Sequence, residues 1–327
     1  MPSDDGGKAL RLARVDPQVR ELMEFLAGSG LRHMAELTPQ AAREQIERFA
    51  QELAPSQDLA RREDIAIDGP HGSVPLRVLA PRAEGPLPTV VFLHGGGWVT
   101  GGLDAAEAPA RWLAVGAGCV AVCVDYRLAP EHPFPAALDD VGAVLRWIEE
   151  QPEALDADAG ASAIAGVSAG ANLAAGAVLR ARDRDEPLPS CQVLVCPVLD
   201  YEFESPSMRD NGEGLLLEVG DLRWCWNHYL ARSEDADSPY ACPLRAPDLS
   251  GLPPTLVITA ELDLLRDQGE LYARRLREAG VPARAHRYAG MIHGFDEFPE
   301  ALDAAAAARD EMSAELRAVW GPTAARG

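Results

Sequence analysis

From Thr89 onward, short unbroken apolar runs alternate with helix-like segments. Val90-Val91-Phe92-Leu93 precedes a helix near 105–115, and the run 120–124 precedes one near 136–150. Ile164 leads into a helix after Ser168, and Val193-Leu194-Val195 follows. The run 255–259 leads to a helix near 269–279, then a strand around 283–288 and a closing helix from about 301. A strand that is apolar at every position is buried on both faces. The pattern therefore predicts an α/β fold with a mostly parallel central sheet covered by helices on both sides.

The segments outside this rhythm define the domain organisation. Ile65 and Ile67, then Val74, Leu76 and Val78, flank a Gly-Pro-His-Gly turn and read as an antiparallel edge hairpin. Before them, Asp16-Pro17 and Thr38-Pro39 each set a cap residue ahead of proline at the first helical position. Val19, Leu22, Met23 and Leu26 form one apolar stripe, ended by Gly28, and Ala42, Ile46, Phe49 and Leu53 form another. We read 1–58 as N-terminal cap helices and 59–327 as the main domain. Within it, 200–243, with Trp224, Trp226 and Tyr229, is a helical insertion that completes the cap.

Composition narrows the function classes. Of 327 residues, 47% are hydrophobic, but no stretch of about 18 apolar residues is uninterrupted, so no membrane span is expected. The opening Met1 to Gly7 has neither a basic region nor an apolar core, so it reads as a frayed end without a secretory signal. The net charge of −21, with Lys8 the sole lysine, repels phosphate backbones and disfavours nucleic acid as a partner. The six cysteines include no C-x-x-C pair, and Cys119, Cys123, Cys191 and Cys196 lie in apolar runs. Buried free thiols and a reducing, cytoplasmic setting are expected.

One short motif points to chemistry. Gly166-Val167-Ser168-Ala169-Gly170 is the single G-x-S-x-G in the chain, and it falls between a buried strand and a helix. A serine on so sharp a turn is held with its hydroxyl exposed, and the N–H of Ala169 opens a helix whose dipole favours negative charge. Such a nucleophile needs a base, a carboxylate that orients the base, and oxyanion donors. Of seven histidines, His293 follows the last strand, on the side where the strands end. His286 lies within that strand, and His33, His71, His132 and His228 lie in lid, turn or loop contexts. Asp263 or Glu261 fits the carboxylate, Asp267 suits a helix cap instead, and we choose Asp263. The glycines in Leu93-His94-Gly95-Gly96-Gly97-Trp98 free the N–H groups of Gly96 and Gly97 to face Ser168, with His94 ordering the loop. Trp98 and the lid aromatics, Trp226 among them, suggest an apolar substrate pocket. No P-loop or metal-ligand motif is present, and Gly116-Ala117-Gly118 precedes a strand instead of linking strand to helix.

Together these residues resemble the hormone-sensitive lipase-like group of α/β-hydrolases, the bacterial family IV carboxylesterases. The likeness extends through Asp125-Tyr126-Arg127-Leu128-Ala129-Pro130-Glu131, Phe134 to Ala137, Asp263 to Asp267 and Ile292 to Phe295. It implies an α/β-hydrolase fold with a helical cap and a Ser168–Asp263–His293 triad. It also implies an oxyanion hole from Gly96, Gly97 and Ala169, and hydrolysis of short- to medium-chain carboxylic esters without a cofactor. Dimerisation through an edge strand is implied by the likeness alone. Two departures stand out: Val167 replaces the usual Asp before the serine, and Leu264 and Gln268 interrupt the usual D-P-L-R-D-E-G. Rival readings are a lactone, amide or acetylated natural-product hydrolase, and a non-catalytic ligand receptor of this fold, which the presence of His293 disfavours.

Overall fold

Alternate residues of a strand face opposite sides of a sheet, and this splits each apolar run between two cores. In the computed structural model, which describes residues 14–52 and 57–321, Val91, Val122, Ile164, Leu194 and Val257 fall in one buried cluster. Their neighbours Val90, Ala121, Ala163, Val193 and Ile258 fall in the other. Leu53, the opening Met1 to Gly7 and Lys8 lie outside the described residues.

The strands are β1 (Arg61–Gly69), β2 (Gly72–Ala80), β3 (Leu87–Leu93), β4 (Val120–Val124), β5 (Ala157–Val167), β6 (Gln192–Val195), β7 (Thr255–Leu262) and β8 (Ala283–Ile292). They form one sheet in the order β1-β2-β4-β3-β5-β6-β7-β8. β1 and β2 are the expected edge hairpin, β2 runs antiparallel to β4, and every later pairing is parallel. The carboxyl ends of β3, β5, β7 and β8 therefore open on the same side.

The described helices are α1 (Pro17–Gly28), α2 (Pro39–Glu52), α3 (Leu103–Ala117), α4 (Ala136–Glu150), α5 (Ala169–Asp183), α6 (Pro206–Asn211), α7 (Val219–Tyr229), α8 (Arg266–Glu278) and α9 (Asp303–Trp320). Residues of α4, α5 and α8 enter the first core and residues of α1, α3 and α9 the second. In α1 the Asp16 side chain accepts from Gln18 N–H at 2.8 Å, and Val19, Leu22 and Leu26 are buried. α2 is fastened by Arg43, which donates to the carbonyls of Val99 and Ala129 at 2.8 Å each and to Glu131 at 2.6 and 2.9 Å. One helix boundary departs from expectation. α8 starts at Arg266 with Leu265 as its cap residue, so Asp267 lies one position inside. Its carboxylate instead accepts from Ser207 N–H at 2.8 Å and anchors α6.

The edge hairpin is held to α3 by a charge network centred on the buried Arg77 and Glu107. Arg77 donates to Asp64, Asp104 and Glu107 at 2.6–2.9 Å, and Glu107 also accepts from Arg62 and Arg111. Arg77→Met removes the hub and leaves carboxylates short of donors. We expect it to lower unfolding stability by about 1.5–3 kcal/mol, read as a reduced urea midpoint.

Candidate active site

The turn after β5 places Ser168 in backbone that a side chain seldom adopts, at φ 54° and ψ −115°. Strain of this kind persists where packing over-determines it. Ser168 N–H donates to Val195 O at 2.8 Å, fixing the turn to the end of β6. A Cβ on Gly166 would lie 2.4 Å from the carbonyl of Gly170, and one on Gly170 would lie 2.2 Å from Leu93 O. The two glycines thus let α5 start against the end of β3. Gly170→Ala forces backbone to move, so we expect a lower melting temperature and loss of activity together.

Ser168 Oγ lies 3.0 Å from His293 Nε2, and His293 Nδ1 lies 2.9 Å from Asp263 Oδ2. Asp263 Oδ1 accepts from Leu265 N–H at 2.9 Å, so both of its oxygens are engaged. With a carboxylate on Nδ1, the imidazole proton belongs there, leaving Nε2 to accept from the serine hydroxyl. Burial pulls the His293 pKa down, but the charge and hydrogen bond of Asp263, with Asp296 and Glu297 behind it, more than offset this. The net result is a pKa raised above the ordinary value. Glu261, the rejected alternative, is turned away: it pairs with Arg14 and accepts from Gly290 N–H. His286 is engaged by Glu311 at 2.7 Å, within β8 and short of the carboxyl end where the serine turn lies.

The loop after β3 is pinned from several sides. The Gly96 carbonyl accepts from Val99 N–H, Thr100 N–H and the Thr100 hydroxyl at 2.9–3.1 Å. Tyr126 donates to His94 O at 2.9 Å and stacks on the His94 ring at 4.2 Å. Burial pushes the His94 pKa down to about 4, so this histidine is a neutral wedge that orders the loop. Gly95 sits against the nucleophile: a Cβ there would lie 3.6 Å from Ser168 Cβ. Gly96 and Gly97 line the same cavity as Ser168, and Ala169 begins α5, whose first N–H groups have no acceptor within the helix.

That cavity has a volume of about 790 Å³. Leu22 and Phe25 of α1, Ile46 and Phe49 of α2, Leu216 and Phe298 supply much of its apolar wall. Trp98 lines it, but Trp226 does not: it is fully buried one layer back, with its ring 4.5 Å from that of Trp98. Tyr229 stacks on Trp98 at 4.1 Å. The aromatic cluster therefore braces the loop, because large rings that pack on one another leave no face for a ligand. Val167 is buried and touches the cavity. The sequence reading made α1 and α2 part of the cap but did not name Leu22, Phe25, Ile46 or Phe49 as pocket residues, although the amphipathic stripes were their signal. It also missed Glu297, an acidic residue four positions after His293 that opens into the cavity.

Among the described residues, one group has spacing suited to a cation, namely Cys196, Asp263 and His293, with ligand atoms within 4.8 Å of one another. Burial raises the Cys196 pKa well above its ordinary value, which keeps the thiol protonated and a poor ligand. Asp263 and His293 already engage each other. No described helix is long and apolar enough to cross a membrane, and all six cysteines are free and buried.

Comparison with known proteins places this geometry among relatives. A family model described as an alpha/beta hydrolase fold matches residues 90–297. The chain is 36% identical over 261 residues to the esterase LipI of Mycobacterium tuberculosis, covering 78% of this chain and 81% of that protein. It is 33% identical over 282 residues to an arylesterase of Saccharolobus solfataricus, covering 86% and 92%. The solved structure of a hyperthermophilic esterase from the archaeon Pyrobaculum calidifontis superposes with a TM-score of 0.89 at 40% identity, over 93% of this chain and 98% of that one.

Proposed function

The chain belongs to the α/β-hydrolase family, in its hormone-sensitive lipase-like branch of ester hydrolases, and from that premise we propose that it cleaves short- to medium-chain carboxylic esters through Ser168, His293 and Asp263. The observation that carries this reading is the unbroken hydrogen-bonded chain from Ser168 Oγ to His293 to Asp263, at 3.0 and 2.9 Å.

His293 Nε2 takes the Ser168 proton as Oγ bonds to the ester carbonyl carbon. The N–H groups of Gly96, Gly97 and Ala169 receive the oxyanion, where each donor contributes about 10²–10³ in rate. As the intermediate collapses, the C–O bond to the alcohol breaks and His293 protonates the leaving oxygen. Water, deprotonated by His293, then attacks the acyl-serine and releases the acid. Asp263 holds the imidazole tautomer and stabilises its charged form.

Turnover of p-nitrophenyl esters from acetate to laurate tests the acyl range, and we expect a maximum among the shorter chains with a clear fall by laurate. Incubation with diethyl p-nitrophenyl phosphate should place one diethylphosphoryl group on the peptide carrying Ser168, seen by mass spectrometry. A label on another residue rejects the assignment. Because neutral His293 is the base and its pKa is raised, kcat/KM should climb with pH through a midpoint above about 6.5. A pH–rate profile on the acetate ester checks it.

Three further features accompany this reading. Six buried free cysteines support a cytoplasmic location. β8 ends the sheet, and an open strand edge supports homodimerisation, which sedimentation velocity tests. The acidic charge of −21 argues against nucleic acid.

A further inference from the structure

The cavity above Ser168 carries more negative charge than ester hydrolysis requires. Glu297 follows His293 in the loop after β8, and its Oε1 lies 3.9 Å from the position a Cβ on Gly95 would take. Ser168 Cβ lies 3.6 Å from that same point. The carboxylate and the nucleophile thus approach the same point beside Gly95, in the cavity that His293 also lines, and His293 is the group that protonates a leaving alcohol. Its backbone N–H donates to Gly294 O, but its carboxylate has no hydrogen-bond or ion-pair partner among the described residues. Its accessible surface opens into the cavity.

The surrounding charges do not cancel it. Asp296 and Glu300 share its loop, and Glu21 of α1 and Asp221 of α7 line the cavity. The Asp221 carboxylate is committed to His33 at 2.8 Å. Arg32, the one arginine on the wall, is paired with Glu36 at 3.2 Å. Arg309 of α9 donates to the backbone carbonyl of Asp296 at 2.9 Å and does not line the cavity. Phe25, Phe49 and Phe298 also line the cavity, and aromatic rings suit an alkylammonium group as well as they suit a hydrocarbon.

We propose that Glu297 makes this enzyme selective for esters whose alcohol portion carries a cationic amine or quaternary ammonium group. This rests on Ser168 and His293 being the reacting pair. Hydrolysis is unchanged in its balance: ester and water give the carboxylic acid and the cationic alcohol. The carboxylate contributes an attractive charge near the leaving group, worth roughly tenfold in kcat/KM for a pair a few ångströms apart in a partly screened site. Desolvation within the cavity, reinforced by Asp296 and opposed by His293 and Arg309, pushes the Glu297 pKa up to about 7. The selectivity therefore switches on as pH rises through neutrality. His293 acts on both kinds of ester, so its own titration cancels in the ratio of the two rates.

The test is a matched pair, acetylcholine and its neutral carbon isostere 3,3-dimethylbutyl acetate, with acid release followed by pH-stat. The wild-type kcat/KM ratio should favour the cation by roughly tenfold at pH 8 and fall toward parity at pH 6. In Glu297→Gln the ratio should stay near parity at both pH values. A wild-type ratio at or below one at pH 8, a ratio that does not change with pH, or a Glu297→Gln ratio equal to wild type overturns the proposal. Failure to cleave either ester while p-nitrophenyl acetate is turned over also overturns it. The wild-type pH comparison needs no variant and stands even if Glu297→Gln folds poorly. Retained p-nitrophenyl acetate turnover in Ser168→Ala would instead reject the underlying assignment of the nucleophile.

Discussion

Ser168→Ala lowers kcat for p-nitrophenyl acetate by about a millionfold while the protein stays folded. The magnitude follows from removing a group that acts as one unit with its base. Without Oγ, His293 has nothing to deprotonate, and only the oxyanion donors and substrate binding remain to accelerate attack by water. Stability should change little, because the Ser168 side chain makes its hydrogen bond to His293 alone among the described residues, while the backbone holds the turn through Val195 O and Asn172 N–H. The measurement is initial rate on purified protein, with near-ultraviolet circular dichroism and melting temperature as controls. A variant that keeps more than one hundredth of the wild-type rate, with the fold intact, places the nucleophile elsewhere.

Asp263→Asn lowers kcat by about ten-thousandfold, by a different route. Asp263 Oδ1 accepts from Leu265 N–H at 2.9 Å. An asparagine must keep its one oxygen there or strand that buried donor, so its amide N–H₂ faces His293 Nδ1. That donor moves the imidazole proton to Nε2, where it blocks acceptance of the serine proton. Loss of the carboxylate charge also removes the interactions that hold the His293 pKa up, so the acid limb of the residual pH–rate profile should move to lower pH. Glu261→Gln provides the contrast. Its carboxylate is spent on Arg14 and Gly290 N–H, so kcat should stay within a few-fold of wild type. Equal losses in the two variants would dismiss the choice of Asp263 over Glu261.

Much of the fold was legible because its signals are local. Runs such as Val90 to Leu93 cannot be solvated on either face, and their alternation with amphipathic helices leaves little besides a covered parallel sheet. Asp16-Pro17 marked the start of α1 because a cap and a fixed φ act over three residues. Where a role depended on what lies across space, the local signal misled. Asp267 looks like a helix cap, yet it reaches across to Ser207 in α6. Trp226 looks like a pocket wall, yet it packs behind Trp98. An aromatic side chain reports that it will be buried, not against what.

The same boundary runs through the site. The strand–turn–helix spacing around Gly166, Ser168 and Gly170 by itself determined where a nucleophile stands, since steric limits on the backbone act within five residues. Sequence position also selected His293 and Asp263, because groups that follow parallel strands gather at one end of the sheet. Only the tertiary structure decided that β5, β7 and β8 lie close enough in the sheet to link those three side chains at 3.0 and 2.9 Å. It alone decided which residues of α1 and α2 wall the cavity, and that Glu297 lines it beside Ser168. Hydrogen bonds and burial extend over a few ångströms, so they depend on distances in space that the order of residues does not fix.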